Sequence, residues 1–136
     1  MPNKKEQRLE TERLLETAGL KGSYADMYPW QVSVGECQRA AIARAIAQNP
    51  RFLICDDATS ALDVSVQAQI IRLLDQLKRE LGLSFLFISH DIALVSSFCD
   101  RVAVMYQGKI VEQGKTEEVL HFPKHEYTRM LLDSVL

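Results

Sequence analysis

The sequence lacks any apolar run close to the length of about 20 residues that a membrane-spanning helix requires. Its first ten residues, MPNKKEQRLE, carry charges but no apolar core, so they do not resemble a secretory signal. Neither an internal repeat nor a low-complexity linker is present. These absences exclude an integral membrane protein and a repeat array, and they favour one small domain with a single core.

Cysteine is scarce and charge is balanced. Cys37, Cys55 and Cys99 lie far apart without the spacing of a metal site, which predicts a reducing, cytoplasmic setting. The net charge of -2 gives no reason to expect a nucleic-acid partner or an anionic membrane surface. The sequence also lacks the pattern GxxxxGK[ST], the loop whose backbone cradles nucleotide phosphates.

The most informative stretch that is present is FLICDDATSALD, at residues 52–63. Its first four residues are all apolar, which predicts a strand covered on both faces, as in a parallel sheet. Asp56 and Asp57 follow at the carboxyl end, where open α/β sheets bind ligands. Adjacent carboxylates point to opposite sides of an extended chain, so one could reach a metal and the other a water molecule. The alternative is a solvated acidic turn.

A second apolar strand is predicted at residues 84–89, after a helix over 66–81 with apolar residues at helical spacing. His90 and Asp91 follow this strand. The strand–helix–strand order predicts a parallel pair, which delivers His90 and the two acids to the same sheet edge. A purely structural histidine is the alternative.

Two further polar positions stand where helices are expected to begin. Ser33 and Glu36 form a capping-box pattern ahead of a helix that ends at Asn49-Pro50, and Gly35 lies between them. The start of such a helix suits an anion, although most capped helices bind none. Asp63, or alternatively Ser65, is expected to cap the helix over 66–81.

The remaining elements are expected as follows. A helix is predicted over 4–18, and residues 21–31 are predicted to form a loop whose Tyr28-Pro29-Trp30 segment packs as an anchor. Strands over 101–106 and 109–112 should form a hairpin through Gln107-Gly108, with Gly114 ending the pair. Helices are predicted to begin at Thr116 and to cover 125–135.

Four segments together resemble the ATP-binding subunits of ABC transporters, in particular those of peptide and nickel importers. They are YPWQVSVGECQRAAIARAIAQNP, FLICDDATSALDVSVQAQIIRLL, LFISHDIALV and HFPKHEYTRMLL. The resemblance implies an α/β fold, namely a partial P-loop NTPase (RecA-like) parallel sheet with flanking helices, preceded by part of the ABC α-helical subdomain. It implies three segments: part of the helical subdomain at 1–50, the second half of the ATPase core at 51–115, and a helical tail at 116–136.

The resemblance also implies roles for individual residues. Asp56 would hold Mg²⁺, usually through water, Asp57 would polarise the attacking water, and His90 would contact the γ-phosphate of ATP. The resemblance places Ser33, Gly35 and Glu36 in the signature motif, which contacts the γ-phosphate of an ATP bound to the opposite subunit of a dimer. Asp63, taken with them as a nucleotide-binding residue, belongs to the D-loop, which runs along the dimer interface and whose acid would help to couple the two sites.

Several positions depart from the pattern of the family. Val34 replaces a glycine and Glu36 a glutamine in the signature motif, while Asp57 replaces a glutamate and Ala58 a proline after the strand. A β-branched side chain and an added negative charge predict weakened contact with a phosphate. Because the P-loop and its strand are missing, the sheet should be incomplete, with apolar positions exposed.

Two functions are compatible with these residues. The first is an ATP-binding, ATP-hydrolysing subunit of a peptide importer, cytoplasmic and peripheral on the inner face of the membrane, with a second ABC ATPase subunit and transmembrane permease subunits as partners. The second is a non-catalytic, degenerate module that pairs with a complete ATPase. The altered motifs and the absent P-loop favour the non-catalytic module for this chain in isolation. The set of motifs as a whole favours the ATP-hydrolysing subunit as the family assignment.

Overall fold

The computed structural model describes residues 2–135; residues 1 and 136, the outer limits of the first and last predicted segments, lie outside this range. The chain divides into two compact units, one ending at Leu86 and the other beginning at Phe87. No helix within residues 2–135 is long and apolar enough to cross a bilayer.

The first unit contains three long helices. α1 spans Lys4–Thr17, α2 spans Val34–Ile46 and α3 spans Val64–Leu81. Two short 3₁₀ helices, Gly22–Asp26 and Pro29–Gln31, occupy the segment that the sequence predicted as a loop. The helices were predicted correctly because each carries a clear start or stop signal: Ser33 caps α2, and Gly82, with φ 64°, ends α3.

The core of this unit lies where α3 meets the other helices. Ile70, Leu74 and Leu77 of α3 are at most 1% exposed, which confirms the predicted apolar stripe. Ile42 and Ile46 add buried side chains from α2. Full burial of such side chains contributes about 1.5–3 kcal/mol each, so this contact stabilises the unit.

A two-stranded parallel sheet accompanies these helices. β1 spans Phe52–Asp56 and pairs with β2, Ser84–Ile88, through a hydrogen bond from the backbone N–H of Ser84 to the carbonyl oxygen of Arg51 (2.9 Å). The prediction that β1 is covered on both faces is wrong, because its side chains alternate between exposed and half-buried. The prediction of exposed apolar positions is confirmed, since Phe52 is 54% and Ile54 is 63% exposed.

The aromatic segment before α2 also differs from its prediction. Tyr28 and Trp30 were expected to pack as anchors, but they are 59% and 78% exposed. Their rings stack on each other instead, with centroids 4.5 Å apart and planes within 5° of parallel. Mutual stacking removes apolar surface from water without a core, so the two rings shield one another rather than the unit's interior.

The second unit is built on a hairpin. It contains α4 (Ile92–Phe98), β3 (Arg101–Tyr106), β4 (Lys109–Lys115), α5 (Thr116–His121) and α6 (Glu126–Asp133). β3 and β4 are antiparallel, and their turn places Gln107 and Gly108 at φ 48° and 76°, as a tight primed turn requires. Gly114 does not end the pair as predicted. It lies within β4 opposite Val102, so the ladder runs further than the apolar pattern indicated.

Candidate functional site

A cleft of about 620 Å³ opens where α2 and α3 begin, and it brings together four residues that the sequence singled out. Ser33, Gly35 and Glu36 come from the start of α2, and Asp63 precedes α3. Other lining residues come from the first unit alone: Gly19, Leu20, Lys21, Tyr24, Val34, Arg39, Ala61, Leu62, Val66 and Gln69. The segment after the acid pair therefore lies beside the signature-like segment.

Ser33 and Glu36 form a capping box at the first turn of α2. The Ser33 hydroxyl accepts from the backbone N–H of Glu36 (3.2 Å), and the Glu36 carboxylate accepts from the backbone N–H of Ser33 (2.8 Å). The Tyr24 hydroxyl donates to the other oxygen of this carboxylate (2.7 Å). The Ser33 backbone and the Tyr24 hydroxyl together lower the pKa of the Glu36 carboxyl, so this residue holds a negative charge at the cleft.

Gly35 has a packing role that its motif does not reveal. A Cβ atom at this position would lie 2.7 Å from Cγ1 of Val66, which is closer than two carbon atoms can pack. The start of α2 thus touches the first turn of α3 at a point where an added methyl group would have to displace the Val66 side chain. Val34, by contrast, is 60% exposed, so its side chain adds apolar bulk at the cleft where the family pattern has none.

Asp63 is fixed by the helix that follows it. Its carboxylate accepts from the backbone N–H of Val66 (3.0 Å) and from the hydroxyl of Ser65 (2.9 Å). These bonds lower the pKa of the Asp63 carboxyl, with the Val66 N–H as the main cause. The prediction that Asp63 caps α3 is confirmed, and Val66 therefore contacts both sides of the cleft.

The acid pair stands at the end of β1. Asp56 is the last residue of the strand, and Asp57 turns the chain with φ 53°, in the left-handed region that aspartate enters more readily than most residues. Both residues are exposed. The Asp57 carbonyl oxygen accepts from the backbone N–H (3.4 Å) and the hydroxyl (3.3 Å) of Ser60. The strand therefore delivers two carboxylates to its carboxyl end, as predicted.

His90 belongs to the second unit, where it is exposed between β2 and α4. Its neighbour Asp91 caps α4 by accepting from the backbone N–H of Leu94 (3.2 Å), and the Ser89 hydroxyl accepts from the backbone N–H of Asp91 (3.0 Å). The meeting of His90 with the acid pair at one site stays a prediction.

The residues fit Mg²⁺ better than they fit a phosphate. Mg²⁺ prefers oxygen ligands and often takes one or two carboxylates together with substrate phosphates, which suits Asp56. Residues 2–135 contain no group of three or more acidic, histidine or cysteine side chains able to hold a metal ion alone. The carboxylates of Glu36 and Asp63 line the cleft and would repel a phosphate. Lys21 and Arg39 also line it and oppose this repulsion in part.

Sequence reasoning missed Tyr24, Lys21, Arg39 and Val66 as cleft residues. Tyr24 stands 12 residues before Glu36, outside any helical or strand period, so no local pattern connects them. Arg39 donates to the carbonyl oxygen of Ala18 (3.1 Å) and to the Gln69 side chain (3.4 Å), which ties α2 to the end of α1 and to α3. Such contacts arise from the packing of helices and leave no signal in residue spacing.

Comparison with known proteins connects this geometry to a family. The family model "ABC transporter" matches residues 2–60. The chain is 47% identical over 133 residues to the oligopeptide transport ATP-binding protein OppF of Escherichia coli, covering 98% of this chain and 40% of that protein. It is 53% identical over 122 residues to the glutathione import ATP-binding protein GsiA of Pectobacterium atrosepticum, covering 90% of this chain and 20% of that protein.

Two solved structures share the fold. The dimeric ATP-binding cassette MJ0796, in a post-hydrolysis state bound to ADP and Pi, superposes with a TM-score of 0.73 at 33% identity, over 85% of this chain and 50% of that one. The ADP conformation of the cassette MJ1267 gives a TM-score of 0.80 at 25% identity, over 95% and 52%. These likenesses confirm the predicted α/β fold as part of a P-loop NTPase.

The chain spans less than half the length of these curated relatives, and it spans about half the length of the solved cassettes. Almost all of the chain nevertheless aligns with the oligopeptide relative at nearly one identical residue in two. The conformation agrees with that of one cassette over 95% of the chain. The chain is therefore similar, over almost its whole length, to the ATP-binding proteins of ABC transporters, including those of peptide importers.

Proposed function

We propose that the chain serves as part of an ATP-binding, ATP-hydrolysing subunit of an ABC importer for peptides or a related solute. The observation that carries this proposal is the cleft, where Ser33, Gly35, Glu36 and Asp63 meet. The names of the relatives support the solute class, since they are an oligopeptide transport protein and a glutathione import protein. ATP and Mg²⁺ are the implied cofactors.

Each residue of the acid pair has a separate role in this proposal. Asp56 would hold Mg²⁺, which supplies positive charge to the phosphates in phosphoryl transfer. Asp57 would accept a hydrogen bond from the attacking water and orient it, and the motif assigns His90 to a phosphate oxygen. An aspartate is one methylene shorter than the glutamate of the family pattern, about 1.5 Å. A displacement of about 1 Å can cost on the order of 100-fold in rate.

The cleft would face the nucleotide of a second ATPase subunit, as the signature and D-loop motifs imply. A dimeric assembly of one solved cassette supports this arrangement. The further partners are transmembrane permease subunits, which would hold the chain at the inner face of the membrane. Residues 1–50, 51–115 and 116–136 would form the helical-subdomain part, the core part and the tail.

A non-catalytic role is the second candidate, and the state of the cleft favours it. The Glu36 carboxylate is held by Ser33 and Tyr24 at the start of α2, where a negative charge opposes phosphate. Val34 adds exposed bulk beside it. A module with this cleft would pair with a complete ATPase and leave one of its two nucleotide sites weak.

A titration of the purified chain with a fluorescent ATP analogue and Mg²⁺ tests the proposal. We expect no binding in the micromolar range, because the sequence has no P-loop to hold the β- and γ-phosphates. Adding a polypeptide with the P-loop half of a related cassette should restore Mg²⁺-dependent binding and slow ATP hydrolysis. Restored binding without any hydrolysis would support the non-catalytic role. Tight binding by the chain alone would contradict the assignment of phosphate binding to a missing P-loop.

A further inference from the structure

A hollow of about 290 Å³ lies between the end of α1, the middle of α2 and one side of α3. All the residues that line it belong to the first unit. Within residues 2–135, the charged side chains among them are Arg39 of α2, Arg72 of α3 and Glu16 of α1, so positive charge exceeds negative by one. We call this hollow the arginine pocket. Its excess of positive charge favours an anionic ligand.

Arg39 is held in place at one side of the arginine pocket. Its guanidinium donates from Nη1 to the carbonyl oxygen of Ala18 (3.1 Å) and from Nη2 to the side-chain oxygen of Gln69 (3.4 Å). Gly19 makes room for the guanidinium, since the backbone there has φ 79° and a Cβ atom would lie 2.6 Å from Nη1. A guanidinium carries five N–H donors, so these two bonds leave three for a ligand.

Arg72 is the unpaired arginine of the pocket. Its side chain is exposed on α3, three residues after Gln69, and within residues 2–135 it makes no hydrogen bond or ion pair. Glu16, which lines the same pocket, does not pair with it. Three other arginines of the first unit differ, since each forms an ion pair with a carboxylate: Arg8, Arg13 and Arg79. The charge of Arg72 is therefore free to meet a ligand.

The donors that line the pocket match the oxygens of a small anion. Guanidinium groups bind phosphates and carboxylates through two parallel N–H···O bonds, which supply both strength and orientation. The side-chain oxygen of Gln69 accepts from Arg39, so the amide N–H groups of Gln69 remain as further donors. Sites for drug-sized ligands begin at about 300 Å³, so a pocket of this volume suits a small ion better than a whole nucleotide.

We propose that the arginine pocket binds a small oxyanion, either a phosphate group or a carboxylate, between Arg72 and the remaining donors of Arg39. This binding goes beyond the function proposed above, because no nucleotide, P-loop or second subunit takes part in it. Arg39 lines both the arginine pocket and the cleft, whereas Arg72 lines the pocket but not the cleft. Substitution of Arg72 therefore tests the pocket without altering the cleft.

Calorimetric titration of the full chain tests the proposal. The chain is titrated with inorganic phosphate and, separately, with succinate, while sodium chloride keeps the ionic strength constant. We expect saturable binding at one site, with a dissociation constant of about 1 mM or below, for at least one of the two anions. Binding of phosphate alone would identify a phosphate group, binding of succinate alone a carboxylate, and binding of both a site for either group. Saturable binding of neither anion would overturn the proposal.

Arg72→Gln should weaken this binding by about tenfold or more, because an amide lacks the charge and the forked donors of a guanidinium. Glu16→Gln should strengthen it by about threefold, because one repulsive charge leaves the pocket. Both side chains are exposed, so the circular dichroism of each variant should match that of wild type. Arg44→Gln is the matched control, since Arg44 is exposed on α2 outside the pocket and its substitution removes the same charge.

Arg44→Gln should alter the dissociation constant by no more than about twofold, because salt screens a charge that lies outside the pocket. Equal weakening in Arg72→Gln and Arg44→Gln would overturn the proposal, since the anion would then respond only to the overall charge of the chain. Unweakened binding in Arg72→Gln would overturn it by placing the anion elsewhere. The result is independent of the proposed function, because failure to bind or hydrolyse ATP beside a P-loop half would leave anion binding unchanged.

Discussion

Gly35 is constrained by packing as well as by its motif. Its Cα lies against the side chain of Val66, and a Cβ would meet Cγ1 at 2.7 Å. Because Gly35 sits inside α2 without a positive φ, an alanine would otherwise suit the helix. The steric limit at this position therefore comes from α3, not from the backbone of α2.

We expect Gly35→Ala to destabilise the chain by about 1 kcal/mol, the balance between overpacking of about 1–3 kcal/mol and a helix-propensity gain of about 0.5–1 kcal/mol. The double variant with Val66→Ala should recover this loss, because removing Cγ1 makes room for the new methyl group. Urea denaturation of the single and double variants measures the coupling. Additive losses would show that the two residues do not share one contact.

Some roles of the cleft residues can be predicted from residue type, and others cannot. Ser33, Glu36 and Asp63 could be predicted as helix caps, because capping depends on neighbours within three residues. The Tyr24 hydroxyl bond to Glu36 could not, since it joins segments 12 residues apart. The negative charge of Glu36 was predicted from the sequence, but the Tyr24 hydrogen bond that fixes its carboxylate was not.

At the scale of elements, the tail helix α6 depends on one carboxylate of β4. Glu112 accepts from the backbone N–H groups of Lys124 (2.7 Å) and His125 (3.0 Å), which lie just before α6. The nearby Thr128 hydroxyl, followed by these two N–H groups, lowers the pKa of the Glu112 carboxyl. The charge thus stabilises the entry into the helix.

Glu112→Gln should loosen α6, because a neutral amide accepts these bonds less strongly than a carboxylate. We expect amide hydrogen exchange of residues 124–133 to become several-fold faster, by mass spectrometry. Glu117→Gln, an exposed change on α5, is the control and should have no effect. Unchanged exchange in Glu112→Gln would contradict the role of this carboxylate.

The same carboxylate sets a pH dependence with a defined sign. Its pKa in the folded chain is below the ordinary value of 4.5, so its contribution is complete above that value and declines as the pH falls through the folded pKa. Protection of α6 should therefore fall in wild type as the pH drops below about 4.5. Glu112→Gln should remove that part of the pH dependence.

Considered as a whole, the chain exposes apolar surface that folded monomers usually bury. In the first unit, Phe52 and Ile54 are 54% and 63% exposed, and the described residues of the second unit include exposed Met105, Ile110 and Phe122, the last at 77%. Large exposed apolar side chains in such numbers are typical of interaction surfaces or of proteins prone to aggregation. The isolated chain should therefore need a partner to remain dispersed.

We expect the isolated chain to enhance the fluorescence of 8-anilinonaphthalene-1-sulfonate, a dye that binds exposed apolar surface. The double variant Phe52→Ser, Ile54→Ser should lower the signal of the isolated chain without altering its far-UV circular dichroism. An unchanged dye signal in the double variant would contradict binding of the dye at Phe52 and Ile54.

The order of elements could be read from the sequence, because helices such as α3 carry an apolar period and strands such as β1 an unbroken apolar run. What covers each face of a helix or strand could not be read from the sequence. Burial depends on everything that packs around a residue. Residues 52–55 were predicted from their apolar sequence to be covered on both faces, but their side chains alternate between exposed and half-buried in this chain. The stacked Tyr28 and Trp30 were misjudged for the same reason.

That stacked pair has an optical consequence. Trp30 is the only tryptophan in the chain, so its emission reports on one place, three residues before Ser33 and the cleft. An indole that is 78% exposed emits as in water, while its contact with Tyr28 makes the intensity sensitive to the short helix that carries it. Docking of a partner on the cleft side can thus be followed by the wavelength of the tryptophan emission maximum, without any label.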